Sequence, residues 1–190
     1  MQTETFALKE WAVIVKALTD GKQLLLMRKG GIAEETKDFQ LESRSFYLYP
    51  TYEHQRIELL KDEYQSELVK LLEDWNPDDA RVEIGCRAEV VEDIEIRSQE
   101  ELDKLSSFAI WTESFSEERL KWKKKQPLHL LLLRVYNLKE PVRIPIKPEY
   151  GGCKSWVSID VDLRGHEEIA VLDDIIFKKS IQDIKLALQT

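Results

Sequence analysis

Two pairs of adjacent glycines in this sequence stand beside basic residues, and segments of this kind can bind anions. The first pair, Gly30 and Gly31, directly follows Arg28 and Lys29. Consecutive glycines allow successive backbone N–H groups to point at one anion, and the two cations add electrostatic attraction. The segment lacks the GxxxxGKS or GxxxxGKT spacing of a P-loop. It predicts a phosphate-binding loop, with an ordinary turn as the alternative interpretation.

The second pair, Gly151 and Gly152, precedes Cys153, Lys154 and Trp156. A cation beside a cysteine lowers the pKa of the thiol and makes it a better nucleophile. The indole of Trp156 could stack on a nucleobase or pack in the core. The alternative interpretation of this loop is a bulged turn that enters a strand with a small, buried thiol.

A third segment, residues 47–55, is dense in aromatic and hydrogen-bonding side chains and precedes a predicted helix. Tyr52, His54 and Gln55 stand near the N-terminus of that helix, with Thr51 as its expected cap. Backbone N–H groups at a helix N-terminus bind anions, and a histidine can exchange protons near neutral pH. In the structural alternative, the tyrosines belong to the core and His54 bonds a backbone carbonyl.

These segments support three competing functions. The first is a nucleic-acid or nucleotide-binding module, whose expected contacts are Arg28, Lys29, Gly30, Gly31, Arg44, Tyr52, His54, Gln55, Gly151, Gly152, Lys154 and Trp156. The second is a protein-interaction or assembly factor whose charged surface meets a partner. The third is an enzyme for an acyl or phosphoryl substrate, with Cys153 as nucleophile and His54 as base. The glycine-rich basic loops favour the first. We expect no cofactor and no metal site, because no CxxC or HxxxH spacing occurs.

The overall charge limits how such a ligand could bind. The 190 residues carry a formal net charge of −8, and 34% of them are charged. An acidic total excludes indiscriminate coating of nucleic acid, because phosphate binding needs a local positive potential. The strongest basic stretch holds Arg119, Lys121, Lys123, Lys124 and Lys125 within seven residues. We expect this stretch to be the solvated end of a helix.

The same sequence predicts a cytoplasmic protein without a membrane partner. Its first residues are polar and include an acid, unlike a secretory signal. Its longest uninterrupted apolar run, residues 130–133, is far too short to span a membrane. Two cysteines in a chain of this length are not typical of a secreted disulfide scaffold.

Apolar periodicity and turn residues predict the elements that carry these segments. Residues 11–18 and 23–27 are apolar runs joined through Asp20-Gly21, so we expect a β-hairpin. A helix over residues 8–18 is the alternative, and the β-branched run 13–15 favours the strand. Further strands are expected at residues 45–49, 81–96, 128–136, 142–146 and 155–161. Helices are expected from the Thr51 cap to Trp75, from Ser98 to about Leu105, at residues 116–124, and after Asp174.

These elements predict an α+β fold. Strands and helices do not alternate one to one, as a doubly wound parallel sheet would require. We therefore expect one domain over residues 1–190, with a largely antiparallel sheet or small barrel flanked by helices. The strand order of residues 87–91 and 128–138 resembles that of small RNA-binding barrels of the PUA and ASCH type. That resemblance implies an alternative architecture in which a barrel with flanking helices holds a nucleotide in a cleft.

Five segments, in order along the chain, resemble a single family. They are Ala-Leu-Lys-Glu-Trp at 7–11, Leu-Leu-Met-Arg-Lys-Gly-Gly-Ile at 25–32, Tyr-Pro-Thr-Tyr-Glu-His-Gln at 49–55, Leu-Arg-Val-Tyr at 133–136, and Tyr-Gly-Gly-Cys-Lys-Ser-Trp-Val at 150–157. The sequence resembles the domain-of-unknown-function family numbered eighteen-oh-two over roughly residues 7–186. This resemblance implies no established activity. It does place the family's motifs at the same three segments that residue chemistry selects.

Overall fold

The computed structural model describes residues 5–29, 39–122, 126–152 and 154–189. Its strands are β1 (Thr5–Trp11), β2 (Leu25–Arg28), β3 (Ser45–Thr51), β4 (Arg81–Ile96), β5 (Leu128–Pro145), β6 (Trp156–Ile159) and β7 (Glu168–Ala170). Its α-helices are α1 (Ala12–Thr19), α2 (Asp62–Glu73), α3 (Gln99–Lys104), α4 (Glu113–Lys121) and α5 (Asp174–Gln189). None of the helices in these ranges is long and apolar enough to cross a membrane.

All described strands join one mixed sheet with the order β2-β5-β4-β3-β1-β6, and β7 pairs with β5. Every strand pair is antiparallel except β1 with β3, which run parallel from Ala7↔Tyr47 to Trp11↔Thr51. The terminal strands β2 and β6 do not pair with each other within the described residues, so the sheet is open. The predicted α+β fold with a largely antiparallel sheet and flanking helices is confirmed.

The centre of the sheet is a long antiparallel ribbon of β4 and β5. It extends from Arg81↔Pro145 to Ile96↔Leu128 and contains two register shifts. The expectation of two separate strands at 128–136 and 142–146 was wrong, because β5 is continuous. Its extra residues 138–141 fall at the first register shift, where Pro141 has no N–H to contribute to the ladder.

The predicted hairpin at residues 11–27 was also wrong. Residues 12–19 form α1, whose buried side chains Ala12, Val13, Ile14, Ala17 and Leu18 recur at helical spacing. The Asp-Gly pair ends this helix. Gly21, with φ +70°, donates its N–H to the Leu18 carbonyl at 3.1 Å, and Lys22 donates to Ala17 at 2.9 Å. These two bonds form a Schellman motif, in which glycine adopts the left-handed conformation after a helix.

The helix predicted to start at Thr51 begins instead at Asp62. Thr51 belongs to β3, opposite Trp11, and its hydroxyl donates to the Glu10 carbonyl at 3.0 Å. A hydroxyl used this way does not cap a helix. The capping box at Ser98 and Glu101 and the terminal helix from Asp174 are confirmed.

The apolar residues of the sheet form one cluster on each face. In β1 and β3, Leu8, Phe46 and Leu48 belong to the larger cluster with α1, whereas Ala7 and Tyr47 belong to the smaller one. Neighbouring residues of a strand point to opposite faces, which explains this alternation. Two of the three predicted functional segments include the ends of β2 and β3, whose residues contribute to the larger cluster.

Candidate functional site

The C-terminal end of β1 is a meeting point for two of the three predicted segments. Glu10 and Arg28 are only 5% and 7% exposed. The Nη2 atom of Arg28 lies 2.9 Å from Oε2 of Glu10 and donates to the Lys9 carbonyl at 2.6 Å. Because β2 stands at one end of the strand order and β1 near the other, this ion pair links two distant strands of a rolled sheet.

The segment after β3 reaches the same place from the other side. The Gln55 side-chain oxygen accepts a hydrogen bond from the Val13 N–H at 3.1 Å, and its amide nitrogen donates to the Tyr52 carbonyl at 3.1 Å. Gln55 thus satisfies an N–H group in the first turn of α1, which would otherwise have no helical acceptor. This residue has a structural role that holds the entrance to α1.

Helix α4 packs near this end of the sheet and borders a cleft of about 320 Å³. The cleft is lined by Trp11, Arg56, Leu59, Phe115, Glu118, Arg119 and Trp122. Its volume is at the lower end of the roughly 300–1,000 Å³ found for small-molecule pockets. We call it the first cleft.

Aromatic rings form the floor of the first cleft. The ring of Phe115 lies 5.0 Å from that of Trp111 at an interplanar angle of 25°, and 5.5 Å from Trp11 at 63°. The guanidinium of Arg119 lies 5.0 Å from the centre of the Phe115 ring. The Phe115 ring is therefore packed against other side chains. The half-buried Trp11 and the more exposed Trp122 supply the aromatic walls that face the cleft.

Arg119 is a cleft residue whose positive charge is not neutralised by a direct ion pair in the described residues. Within the described residues, its guanidinium makes no hydrogen bond or ion pair, and its contact is the ring of Phe115. Burial lowers the pKa of Arg119, the carboxylate of Glu10 opposes that change, and the positive charge of Arg28 adds to it. The carboxylate of Glu118 also favours the charged form of Arg119. Since Glu10 is paired with Arg28 and Glu118 with Arg56, the Arg119 guanidinium keeps a positive charge on the inner side of the cleft without a hydrogen-bonded carboxylate among the described residues.

At the outer rim of the first cleft, the positive charge of Arg56 is paired with carboxylates. Arg56 donates from Nε to Glu58 at 2.7 Å and from Nη1 to Glu118 at 2.9 Å. These three side chains are well exposed, so their mutual attraction is screened by solvent. An anionic ligand would therefore find its unpaired cation at Arg119, deeper in the cleft.

A second cleft, of about 380 Å³, lies on the other side of α4. It is lined by Lys29, Glu95, Ile96, Arg97, Leu120, Gln126 and Pro127. Lys29 is only 3% exposed, and its ammonium donates to the Leu120 carbonyl at 2.6 Å. Burial lowers the pKa of this amine. Lys29 therefore lines the second cleft, whereas the adjacent Arg28 lines neither cleft.

Other predicted contacts lie apart from these clefts. Tyr52 stacks on Trp75, with ring centres 5.4 Å apart and an interplanar angle of 6°, and burial raises its pKa. His54 is exposed and adopts a φ of +62°. Arg44 is also exposed and makes a long contact of 3.4 Å to the Val90 carbonyl.

The segment after β5 lies on the opposite face of β1. The side chain of Lys9 donates to the carbonyls of Tyr150 at 2.8 Å and Gly152 at 2.9 Å. Lys9 and Glu10 are neighbours on a strand and point to opposite faces. Around Lys9 this loop therefore presents carbonyl oxygens to a cation, whereas the prediction required N–H groups that face an anion.

Trp156 and Lys154 also line neither of the two clefts. The indole N–H of Trp156 donates to the Gln40 carbonyl at 2.9 Å, and its ring packs 5.0 Å from Phe46. This placement corresponds to the core alternative for Trp156. Lys154 and Gly151 are exposed. Gly30, Gly31 and Cys153 lie outside the described residues, so the cysteine–histidine hypothesis stays a prediction.

Within residues 5–29, 39–122, 126–152 and 154–189, no group of three or more histidine, cysteine or acidic side chains is placed to hold a metal ion. The clefts contain guanidinium, ammonium and aromatic groups, which suit an organic anion.

Sequence reasoning missed the residues that make the first cleft. Trp11 is more than a hundred residues from Phe115 and Arg119 in the sequence, and no motif contains all three residues. One signal was present. Phe115 and Arg119 are four residues apart, a spacing that places an aromatic ring beside a cation when both lie on one helix. The helix was predicted at residues 116–124, which left Phe115 outside it, whereas α4 begins at Glu113. The prediction that Arg119 lies in a solvated helix end was wrong, because it lines the cleft in a half-buried position.

The fold and site together define an α+β domain with a rolled, mainly antiparallel sheet and an arginine-lined cleft under α4. The chain belongs to the family described as Domain of unknown function (DUF1802), which matches residues 7–183. No curated protein matches the sequence. A solved structure of a ZmASCH mutant protein from Zymomonas mobilis is similar, with 10% sequence identity and a TM-score of 0.48 over 95% of this chain and 98% of that chain.

Proposed function

We propose that this protein binds nucleic acid or a nucleotide in the first cleft. The observation that carries the proposal is the Arg119 guanidinium, half-buried over an aromatic ring and without a hydrogen-bonding partner in the described residues. An arginine in this setting offers a planar set of donors that fits phosphate in two-point contact. A bound phosphate would supply the anion that Glu10 alone does not provide.

The aromatic walls support the same ligand. Nucleobases stack on tryptophan with about 1–3 kcal/mol per base, and they do so with little dependence on base identity. Trp11 and Trp122 line the cleft beside Arg119. A base against an indole and a phosphate against a guanidinium would use both kinds of surface at once.

The ion pair of Arg28 and Glu10 has a supporting role in this proposal. Both side chains are buried behind the cleft and bond to each other and to β1. They hold the end of β1, and therefore Trp11, at the cleft wall. Because Arg28 is paired with Glu10, its role in this proposal is to position the cleft wall, and Arg119 supplies the charge that would meet an anion.

The test is a titration with short single-stranded RNA and DNA at low salt, measured by fluorescence anisotropy. Arg119→Gln should weaken binding by at least tenfold, because it removes the charge while keeping a polar side chain. Arg143→Gln is the matched control, since Arg143 is a solvent-exposed arginine of β5 outside both clefts. The affinity of the Arg143→Gln variant for the oligonucleotides should stay within about twofold of the wild-type value, because substitutions at exposed positions usually have small effects.

Two results would contradict the proposal. One is a folded wild-type protein that binds neither RNA nor DNA at low salt. The other is an Arg119→Gln variant that binds as well as the Arg143→Gln control. Circular dichroism of each variant separates loss of binding from loss of fold.

A protein partner is the second candidate function. The observation in its favour is a pair of adjacent exposed isoleucines at the start of α5, Ile175 and Ile176, of which Ile175 is 82% exposed; Ile169 on β7 is exposed as well. Exposed apolar clusters commonly mark contact surfaces. Replacing Ile175 and Ile176 with aspartate should abolish cross-linked complexes in cell extracts if this surface binds a protein, while leaving oligonucleotide affinity unchanged.

A further inference from the structure

We propose that the ligand is a single strand of at least two nucleotides, which extends from the first cleft across the last turn of α4 into the second cleft. This inference rests on the proposed function and names its substrate class. The two clefts share that turn, since Arg119 lines the first cleft and Leu120 lines the second. Successive helical residues point about 100° apart, so the clefts flank the same few ångströms of backbone.

The second cleft contains its own buried cation. The ammonium of Lys29 uses one of its three hydrogens on the Leu120 carbonyl, and it has no other partner in the described part of the chain. A charged amine buried in this way is costly unless an anion or further acceptors meet it. A phosphate entering the second cleft would supply both.

The position of Lys29 also makes the crossing electrostatically feasible. The last carbonyls of a helix carry partial negative charge and repel phosphate. At α4 one of those carbonyls, that of Leu120, already accepts a hydrogen bond from the Lys29 ammonium. Arg119 precedes it on the chain and Arg97 stands on the far wall of the second cleft. Arg119 and Lys29 therefore place a positive charge on each side of the helix end, and Arg97 offsets the charge of Glu95 in the second cleft.

The acidic groups beside the path are paired. Glu118 lines the first cleft and contacts Arg56, and Glu95 lines the second and contacts Arg97 at 2.6 Å. Their charges are therefore largely balanced where a strand would enter.

The aromatic lining of the first cleft favours an unpaired base, whose faces are free to stack. A base within a duplex cannot enter such a cleft without being unstacked and turned out, which costs a few kcal/mol. Single strands expose their bases for stacking on aromatic side chains. Each cleft is close to the lower limit of small-molecule pocket volume, so a strand, more than one nucleotide long, is needed to fill both.

The experiment is a length series in which unlabelled adenosine and uridine monophosphates, dinucleotides and trinucleotides compete with a labelled single strand. For the wild type, affinity should rise on the order of tenfold from mononucleotide to trinucleotide, as at least one of the two added nucleotides binds through its base and phosphate. Arg119→Gln should weaken every length. Arg97→Gln should reduce the ratio between trinucleotide and mononucleotide affinity to within about twofold.

Arg97 is the preferred substitution because its side chain is 80% exposed, so the variant should fold normally. Lys29→Met is the second test of the same cleft, with its fold checked by circular dichroism. Arg143→Gln should keep the wild-type length dependence.

The inference is overturned if mononucleotides bind as tightly as trinucleotides, or if Arg97→Gln retains the full length dependence. Either result leaves the proposed function intact, provided that Arg119→Gln still weakens binding. A duplex that binds better than the single strand would also overturn it. Absence of any binding by the wild type would refute the proposed function together with this inference.

Discussion

Replacing Arg28 with methionine should strongly destabilise this protein, because the carboxylate of Glu10 would stay buried without its partner. The two charged groups are 2.9 Å apart and their side chains are 8% and 5% exposed. Methionine retains much of the aliphatic volume of arginine, so the substitution tests charge more than packing. It also removes the hydrogen bond from Arg28 to the Lys9 carbonyl.

The expected loss follows from this burial. Removing one partner of a buried ion pair costs about 3–5 kcal/mol, against a total stability of roughly 5–15 kcal/mol for a domain. For a chain of 190 residues, each kcal/mol lowers the melting temperature by about 2–4 °C. Arg28→Met should therefore melt roughly 6–20 °C below the wild type.

A second substitution distinguishes the buried charge from lost packing. The double variant Arg28→Met/Glu10→Gln has no uncompensated charge. Its glutamine oxygen can still accept the hydrogen bond that the backbone N–H of Trp11 donates to Glu10 at 2.7 Å. The double variant should recover most of the lost stability, since replacing both members of a buried pair is often close to neutral.

The measurement is urea denaturation at pH 7, followed by tryptophan fluorescence and circular dichroism. Arg143→Met is the control, because its ion pair with Glu83 is long, at 3.4 Å, and exposed. It should leave the midpoint unchanged. A loss below about 1 kcal/mol for Arg28→Met with an unchanged slope, or no recovery in the double variant, would refute the reasoning.

Two further predictions concern the fold. Gly21→Ala should lower the free energy of unfolding by about 2–4 kcal/mol, because φ at this position is +70° and a Cβ would lie 2.9 Å from Leu172. Gly165 has a φ of +89°, and a Cβ there would lie in open space, so Gly165→Ala should lower that free energy by only about 1–2 kcal/mol. Equal losses in denaturation would contradict the packing argument. Burial raises the pKa of Cys86 to about 12, so peptide mass spectrometry should find Cys86 unmodified by iodoacetamide at pH 8.5 in the native protein and modified in urea. Because the unfolded thiol ionises near pH 8.5–9, stability should fall as the pH rises from about 9 towards 12, and Cys86→Ala should make that fall shallower. Rapid modification in the native state would contradict this.

The sequence was a good guide to elements with a strong local signal. The alternating residues of β4 and the capping box of α3 require only neighbouring residues to be recognised. At α1 the local signals pointed the other way. The β-branched run 13–15 favours strands by propensity. Val13 and Ile14 are nevertheless buried in the larger cluster and Val15 packs against it, and this packing decides the helix. The Asp-Gly pair serves equally well in a hairpin turn and at a helix end.

The candidate site was predictable only in part. Lys29 was identified as a basic residue beside glycines, and it lines the second cleft. The burial of Arg28 depends on Glu10, which reaches it only because the sheet rolls. Trp11, Phe115 and Arg119 are brought together by the packing of α4 on that rolled sheet, and no spacing along the chain encodes this contact.

The position of β1 between β3 and β6 has a consequence for synthesis of the protein on the ribosome. The first strand of the chain finds its antiparallel neighbour only when Thr5 pairs with Ile159. At about 5–20 residues per second, on the order of ten to thirty seconds pass between the translation of these two residues. During that interval one edge of an apolar strand, including Ala7 and Leu8, has no native neighbour and is open to pairing with other chains. Pairing of this edge is therefore slow and non-local, and chaperones that shield strand edges would find a binding segment here.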